Sequence, residues 1–144
     1  MKKKNMKDRI CKVELCKIVI NKSSDIQTIV LKETKGNRTL TIGIGNSEVN
    51  AIKLEIAKVK PQRPMTHDLL KRVIEVFDAT VEKIIIDKLQ FSTFHAKIFL
   101  KLDSKDIRQI DARPSDSIAL ALRTKSPIYV TDELLNKVQK FEVG

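Results

Sequence analysis

Two stretches of this chain set an arginine, a proline, a hydroxyl residue and an aspartate just ahead of an apolar helical run. They are Arg63-Pro64-Met65-Thr66-His67-Asp68-Leu69-Leu70 and Arg113-Pro114-Ser115-Asp116-Ser117-Ile118-Ala119. A guanidinium presents a planar fork of donors that suits a phosphate, and a carboxylate can hold a hard cation or orient a proton-transferring group. Both stretches fall at a predicted helix start, where free backbone N–H groups already favour anions. A phosphodiester is the substrate such a site would suit. In this chemical reading Arg63 and Arg113 bind phosphate, His67 is the general base or acid, and Asp68 and Asp116 work beside it. Asp68, Asp111 and Asp116 are the candidate ligands of a divalent cation such as magnesium or manganese, and Glu48 is a further candidate.

A structural account competes at each of these positions. Thr66 and Ser115 would cap their helices, while Asp68, Asp116 and Glu48 would complement the positive ends of helix dipoles. An Asp111–Arg113 or Asp116–Arg63 bridge would pin a loop. Capping explains Thr66 and Asp68 but leaves Arg63 without a role. His95 shares a strand face with Lys97 and Lys101, which reads as a solvated basic face.

The elements that must position these groups follow from the periodicity. Cys11, Val13 and Leu15 alternate, and Ile18 and Ile20 continue in the opposite parity, which predicts a strand with a bulge near Cys16 and Lys17. Ile26, Thr28 and Val30 begin a second strand, Lys35-Gly36-Asn37 turns the chain, and Leu40, Ile42 and Ile44 form a third. At Gly45-Asn46 the period changes to helical, with Val49, Ile52, Ile56 and Val59 on one face and Asn46 or Ser47 as the cap. A second helix from Thr66 would bury Leu69, Leu70, Val73, Ile74 and Phe77 and leave Lys71, Arg72 and Glu75 outside. Strands over 81–89, 94–102 and 107–112 follow, then a small, apolar helix over 115–124, a strand over 128–130, and a helix capped by Thr131-Asp132 and ending near Val138. The sequence pattern strand, Arg-Pro, helix, strand occurs twice and suggests an internal duplication. The whole predicts an α+β fold: one compact domain over 10–144, with helices packed on a mixed or antiparallel sheet.

Composition narrows the partners. The 144 residues carry 28 Lys plus Arg against 18 Asp plus Glu, a net charge of +10 that favours polyanions through counterion release. Residues 1–9 read as a disordered basic leader, and residues 53–72 are the most basic part of the body. One Tyr, five Phe and no Trp count against a base-stacking platform of the OB or RNA-recognition type. Neither Walker nor nucleophile-elbow glycine spacing occurs, so no P-loop, α/β-hydrolase site or organic cofactor is expected. No run of 18 apolar residues and no signal-peptide core are present, which predicts a soluble, cytoplasmic protein without a membrane partner. Cys11 and Cys16 would point to opposite strand faces and stay reduced.

Taken together, Ile44-Gly45 with Glu48, Arg-Pro-Met-Thr-His-Asp-Leu-Leu at 63–70 and Ile-Asp-Ala-Arg-Pro-Ser-Asp-Ser-Ile-Ala at 110–119 resemble the bifunctional nuclease family in order and spacing. The resemblance covers roughly residues 10 to 138. It implies a compact α+β domain, a homodimer, and cleavage of both DNA and RNA with low sequence specificity. By motif it carries over to Glu48, Arg63, His67, Asp68, Asp111, Arg113 and Asp116. The rival is a non-enzymatic module that binds nucleic acid or protein and whose Arg–Asp pairs are structural locks.

Overall fold

The computed structural model describes residues 9–142. The basic leader therefore lies outside the described residues apart from Arg9, whose carbonyl accepts the Asp132 N–H at 2.8 Å. The first third is the predicted meander of β1 (Ile10–Val19), β2 (Ile26–Glu33) and β3 (Thr39–Gly45), paired antiparallel in sequence order. The parity switch in β1 is a bulge: pairing slips between Leu15 and Lys17, which lets both Leu15 and Ile18 lean on the core. Cys11 and Cys16 are free thiols.

After β3 come α1 (Asn46–Ile56), α2 (Thr66–Val76), β4 (Thr80–Gln90), β5 (Thr93–Lys101), β6 (Ile107–Ala112), α3 (Pro114–Thr124), β7 (Ile128–Thr131) and α4 (Asp132–Glu142). The seven strands form one sheet in the order β3-β2-β1-β7-β4-β5-β6. β7 joins its two halves, antiparallel to β1 at Ile10–Thr131 and parallel to β4 at Ile84–Ile128. This is the expected α+β architecture with a mixed sheet.

One core serves sheet and helices. Ile29, Leu31, Ile84, Ile86 and Val130 of the sheet meet Ile52 of α1, Ile118 and Leu120 of α3 and Leu135 of α4, each within 1% of complete burial. Burying such a side chain contributes about 1.5–3 kcal/mol. Ser117, Ala119 and Ala121 are small enough to let α3 lie close on β4 and β5, with α1 and α2 packed on its flanks. α3 is therefore the element against which the candidate residues of α1 and α2 are placed. A left-handed Lys125 (φ 55°) ends it.

Several local expectations give way. The N-cap of α1 is Gly45 rather than Asn46 or Ser47, because Asn46 Oδ1 instead accepts from Gln27 Nε2 at 2.8 Å. Met65 and Arg113 are the N-cap residues of α2 and α3, which puts Thr66 and Ser115 inside the helices. α4 runs on to Glu142, started as predicted by the Thr131 hydroxyl, which accepts the Leu134 N–H. The largest departure is α2: Leu69, Leu70, Val73 and Phe77 are exposed, Phe77 by 77%, and only His67 is buried, with Ile74 half-buried. Its apolar stripe points away from the core of this chain. The duplication is also limited, since β6 precedes α3 but α1, not a strand, precedes α2.

Candidate functional site

At the start of α3 the chain folds an arginine back over its own first turn. Ser117 donates through both its N–H and its hydroxyl to the Arg113 carbonyl, at 3.1 and 2.9 Å, and fixes the cap. Asp116, three residues on, then lies within reach of the Arg113 side chain. Arg113 Nε and Nη2 donate to the two Asp116 oxygens at 2.8 and 3.1 Å, and Nη1 donates to Glu48 Oε1 at 3.0 Å. Glu48 reaches it from the first turn of α1, folded back over Gly45, where a Cβ would strike the carboxylate. Three of the five guanidinium N–H groups are engaged, and the side chain is 62% exposed, so two donors remain for a ligand.

Asp116 also reaches α2. Its Oδ1 lies 2.9 Å from Nε2 of the buried His67. Burial alone would raise the Asp116 pKa, but hydrogen bonds from Arg113 and His67 and the Arg113 charge outweigh it and hold the carboxyl below its ordinary value. Its hydrogen bond with Asp116, then that with Glu48, raises the Arg113 pKa in turn. An ionised carboxylate has no proton to give, so the proton in the His67–Asp116 bond sits on Nε2. In the neutral ring Nδ1 is then the nitrogen with the free lone pair. One carboxylate from α3 thus orients an imidazole from α2 and a guanidinium that α1 also grips.

Asp68 occupies the same position in α2 that Asp116 holds in α3, and its partners differ. Its Oδ2 accepts the Met65 N–H at 3.0 Å, and its Oδ1 accepts from Arg123 Nε at 2.8 Å. Arg123 is 4% exposed and donates also to the Ala119 and Ala51 carbonyls at 3.0 and 3.1 Å. These bonds outweigh the burial that would raise the Asp68 pKa and hold it below its ordinary value. Arg123 ties α1, α2 and α3 together and was missed in the sequence. Its signal was there: a single cation in the small, apolar run of α3.

Two other candidates, Arg63 and Asp111, lie differently from the expectation. Arg63 is exposed on the loop between α1 and α2, outside the Asp116 network and without an ion pair among the described residues. The Asp111–Arg113 and Asp116–Arg63 bridges are not formed, because Arg113 is taken by Asp116 and Glu48. Asp111 is exposed on the edge strand β6, opposite Lys97 in register, but Lys97 pairs with Asp87 at 2.7 Å. Asp111 and Asp116 line one groove but Asp68 does not, and among the described residues no three His, Cys, Asp or Glu side chains are grouped to hold a metal ion. Asp68 and Asp116 are both held by arginine. The donor set as it stands does not fit a divalent cation.

Cavities open on the network from several sides. One of about 320 Å³ is lined by Glu48, Met65, Thr66, His67, Arg113 and Asp116. A second, of about 460 Å³, lies between Ile42–Gly45 with Glu48, the residues 92–94 of the β4–β5 hairpin, and Arg113. The third is an apolar groove of about 630 Å³ between α2 and β5–β6, where His67, Arg113 and Asp116 meet Leu69, Val73 and Ile110. No helix among the described residues is long and apolar enough to cross a membrane.

Comparison with known proteins adds the following. The family model of the bifunctional nuclease domain matches residues 29–142, which include every candidate residue above. Two proteins of Mycobacterium tuberculosis, named Uncharacterized protein MT1877 and Uncharacterized protein Rv1829, are each 38% identical over 123 residues. The match covers 85% of this chain and 73% of each relative.

Proposed function

The chain belongs to the bifunctional nuclease domain family, and on that premise we propose that it hydrolyses phosphodiester bonds of DNA and RNA with low sequence specificity. The observation that carries this reading is Asp116 holding His67 and Arg113 at once where the cavities meet. A phosphate oxygen docks on the two free N–H groups of Arg113, which also face the charge that develops on phosphorus. His67 Nδ1 takes the proton of the attacking water as its oxygen bonds to phosphorus and the bridging P–O bond breaks; the imidazolium, stabilised by Asp116, then gives that proton to the leaving alkoxide. Asp68 serves this site by position: pinned to Arg123, it fixes the first turn of α2 and with it His67. Because Asp68 and Asp116 are committed to arginine, no step is drawn through a cation. Groups that meet phosphate rather than base edges account for low specificity, and the exposed Lys58, Lys60 and Arg63 on the neighbouring loop extend the positive surface.

The protein acts as a homodimer in this proposal. Leu69, Val73, Val76 and Phe77 of α2 and Ile107 and Ile110 of the edge strand β6 leave an apolar surface uncovered. Surfaces of this kind mark association sites, and an unpaired edge strand can add strands from a second copy.

Digestion of single-stranded DNA, double-stranded DNA and RNA, with and without EDTA, tests the reading. Wild-type cleavage should survive EDTA and be lost in His67→Ala and Asp116→Asn. Equal cleavage by all three would mean a contaminant or other catalytic residues. A folded wild type that binds nucleic acid but cleaves none would favour the non-enzymatic module.

A further inference from the structure

The β4–β5 hairpin turns on Phe91 and Ser92, between the paired Gln90 and Thr93, and both turn residues are left-handed, at φ 51° and 62°. Such a two-residue turn favours Asn-Gly, because a side chain with a Cβ is crowded there and a bulky ring most of all. Thr93 Oγ1 donates to the Phe91 carbonyl at 3.3 Å and ties the turn down. Yet Phe91 is 100% exposed and touches no part of the core. Neither turn chemistry nor packing gives a reason for phenylalanine at this place. The residues that follow it, Ser92, Thr93 and Phe94, wall the cavity of about 460 Å³ that Glu48 and Arg113 also line.

We propose that Phe91 is a nucleobase-stacking residue, holding an unpaired base of the strand whose phosphate is bound at Arg113. This deepens the phosphodiesterase reading and rests on it. The stack needs only the face of the ring, so it suits every base and adds no sequence preference. It does require an unstacked base, so single strands are the favoured substrate. The low aromatic content that argues against a stacking platform is compatible with one ring, placed on a hairpin whose next residues share a cavity with Arg113.

The test uses the full chain with Phe91→Asn and Phe91→Trp. Because asparagine suits the turn, Phe91→Asn should melt at a higher temperature than wild type while its KM for a single-stranded oligonucleotide rises about 5- to 100-fold. Wild type should show a similar loss on an oligonucleotide stripped of its bases. Phe91→Trp should keep the wild-type KM, and its indole fluorescence should be quenched by the intact oligonucleotide but not by the base-free one. Unchanged KM in Phe91→Asn with active wild type would overturn the inference, as would a change in sedimentation in place of a change in binding. Quenching without cleavage by any variant would uphold the stacking site and instead sink the nuclease reading.

Discussion

Replacing Asp116 by asparagine separates what this carboxylate does for the fold from what it does for chemistry. The side chain keeps its shape and loses its charge. Its two bonds from Arg113 involve a guanidinium whose side chain is 62% exposed, so solvent screens them and together they contribute about 1 kcal/mol or less. The bond from the buried His67 contributes about 1 kcal/mol more. The expected destabilisation is therefore about 1–2 kcal/mol, a fall in melting temperature of about 2–8 °C. The chemistry should suffer far more. An asparagine oxygen cannot balance an imidazolium, and its amide can turn to donate to Nε2, which moves the proton to Nδ1 and removes the base. General acid–base assistance is worth on the order of 10²–10⁴-fold in rate. kcat on single-stranded DNA should drop by about that factor at 25 °C, where the variant remains folded by circular dichroism. Retention of more than about a third of wild-type kcat would refute the His67–Asp116 assignment. A variant already unfolded at 25 °C would refute the division between fold and chemistry.

Arg123→Met should destabilise by about 3 kcal/mol, read by urea denaturation, because it strands the Asp68 charge. Adding Asp68→Asn should recover part of that loss, and strict additivity of the two would exclude the lock. Asp68, Asp116 and Asp132 all have folded pKa values below the ordinary carboxylate range, Asp132 through its bond from Arg38. The stability they give is full above the unfolded pKa of about 3.9 and is lost as pH falls through the lower folded values. The urea midpoint should accordingly fall steeply from about pH 5 downward and stay flat between pH 6 and 8; a flat acid limb would contradict these three pairings. Leu69→Glu with Val73→Glu should convert a dimer to a monomer in analytical ultracentrifugation without lowering the melting temperature of the dilute chain, and a wild-type monomer at high concentration would end the dimer proposal.

The fold was legible because its strands alternate cleanly and its core helix is small and apolar. The bulge in β1 showed as a parity switch, since an extra residue flips every later side chain to the other face. The site was legible by residue type but less so by partnership. Arg113 stands three residues before Asp116, the spacing that brings side chains together on a helix, whereas Arg63 stands five before Asp68 and cannot fold back in the same way. The two Arg-Pro stretches thus look alike on paper, yet only their aspartates share a position. The long-range partners, Glu48 to Arg113 and His67 to Asp116, depend on how α1 and α2 dock on α3, and no local pattern encodes a docking angle.

α2 shows where periodicity stops informing. A stripe at 69, 70, 73 and 77 reports that one face of a helix calls for cover, but it does not say what provides it. In this chain the stripe borders the same groove as His67, Arg113 and Asp116, so the surface proposed for association and the groups proposed for chemistry share a wall. Covering that groove with a second copy would remove water from one side of the imidazole–carboxylate pair, and a drier surrounding strengthens the bond between them. Association and activity should for that reason be lost together when the stripe is made acidic, even though Leu69 and Val73 have no polar side-chain group to offer the Asp116 network.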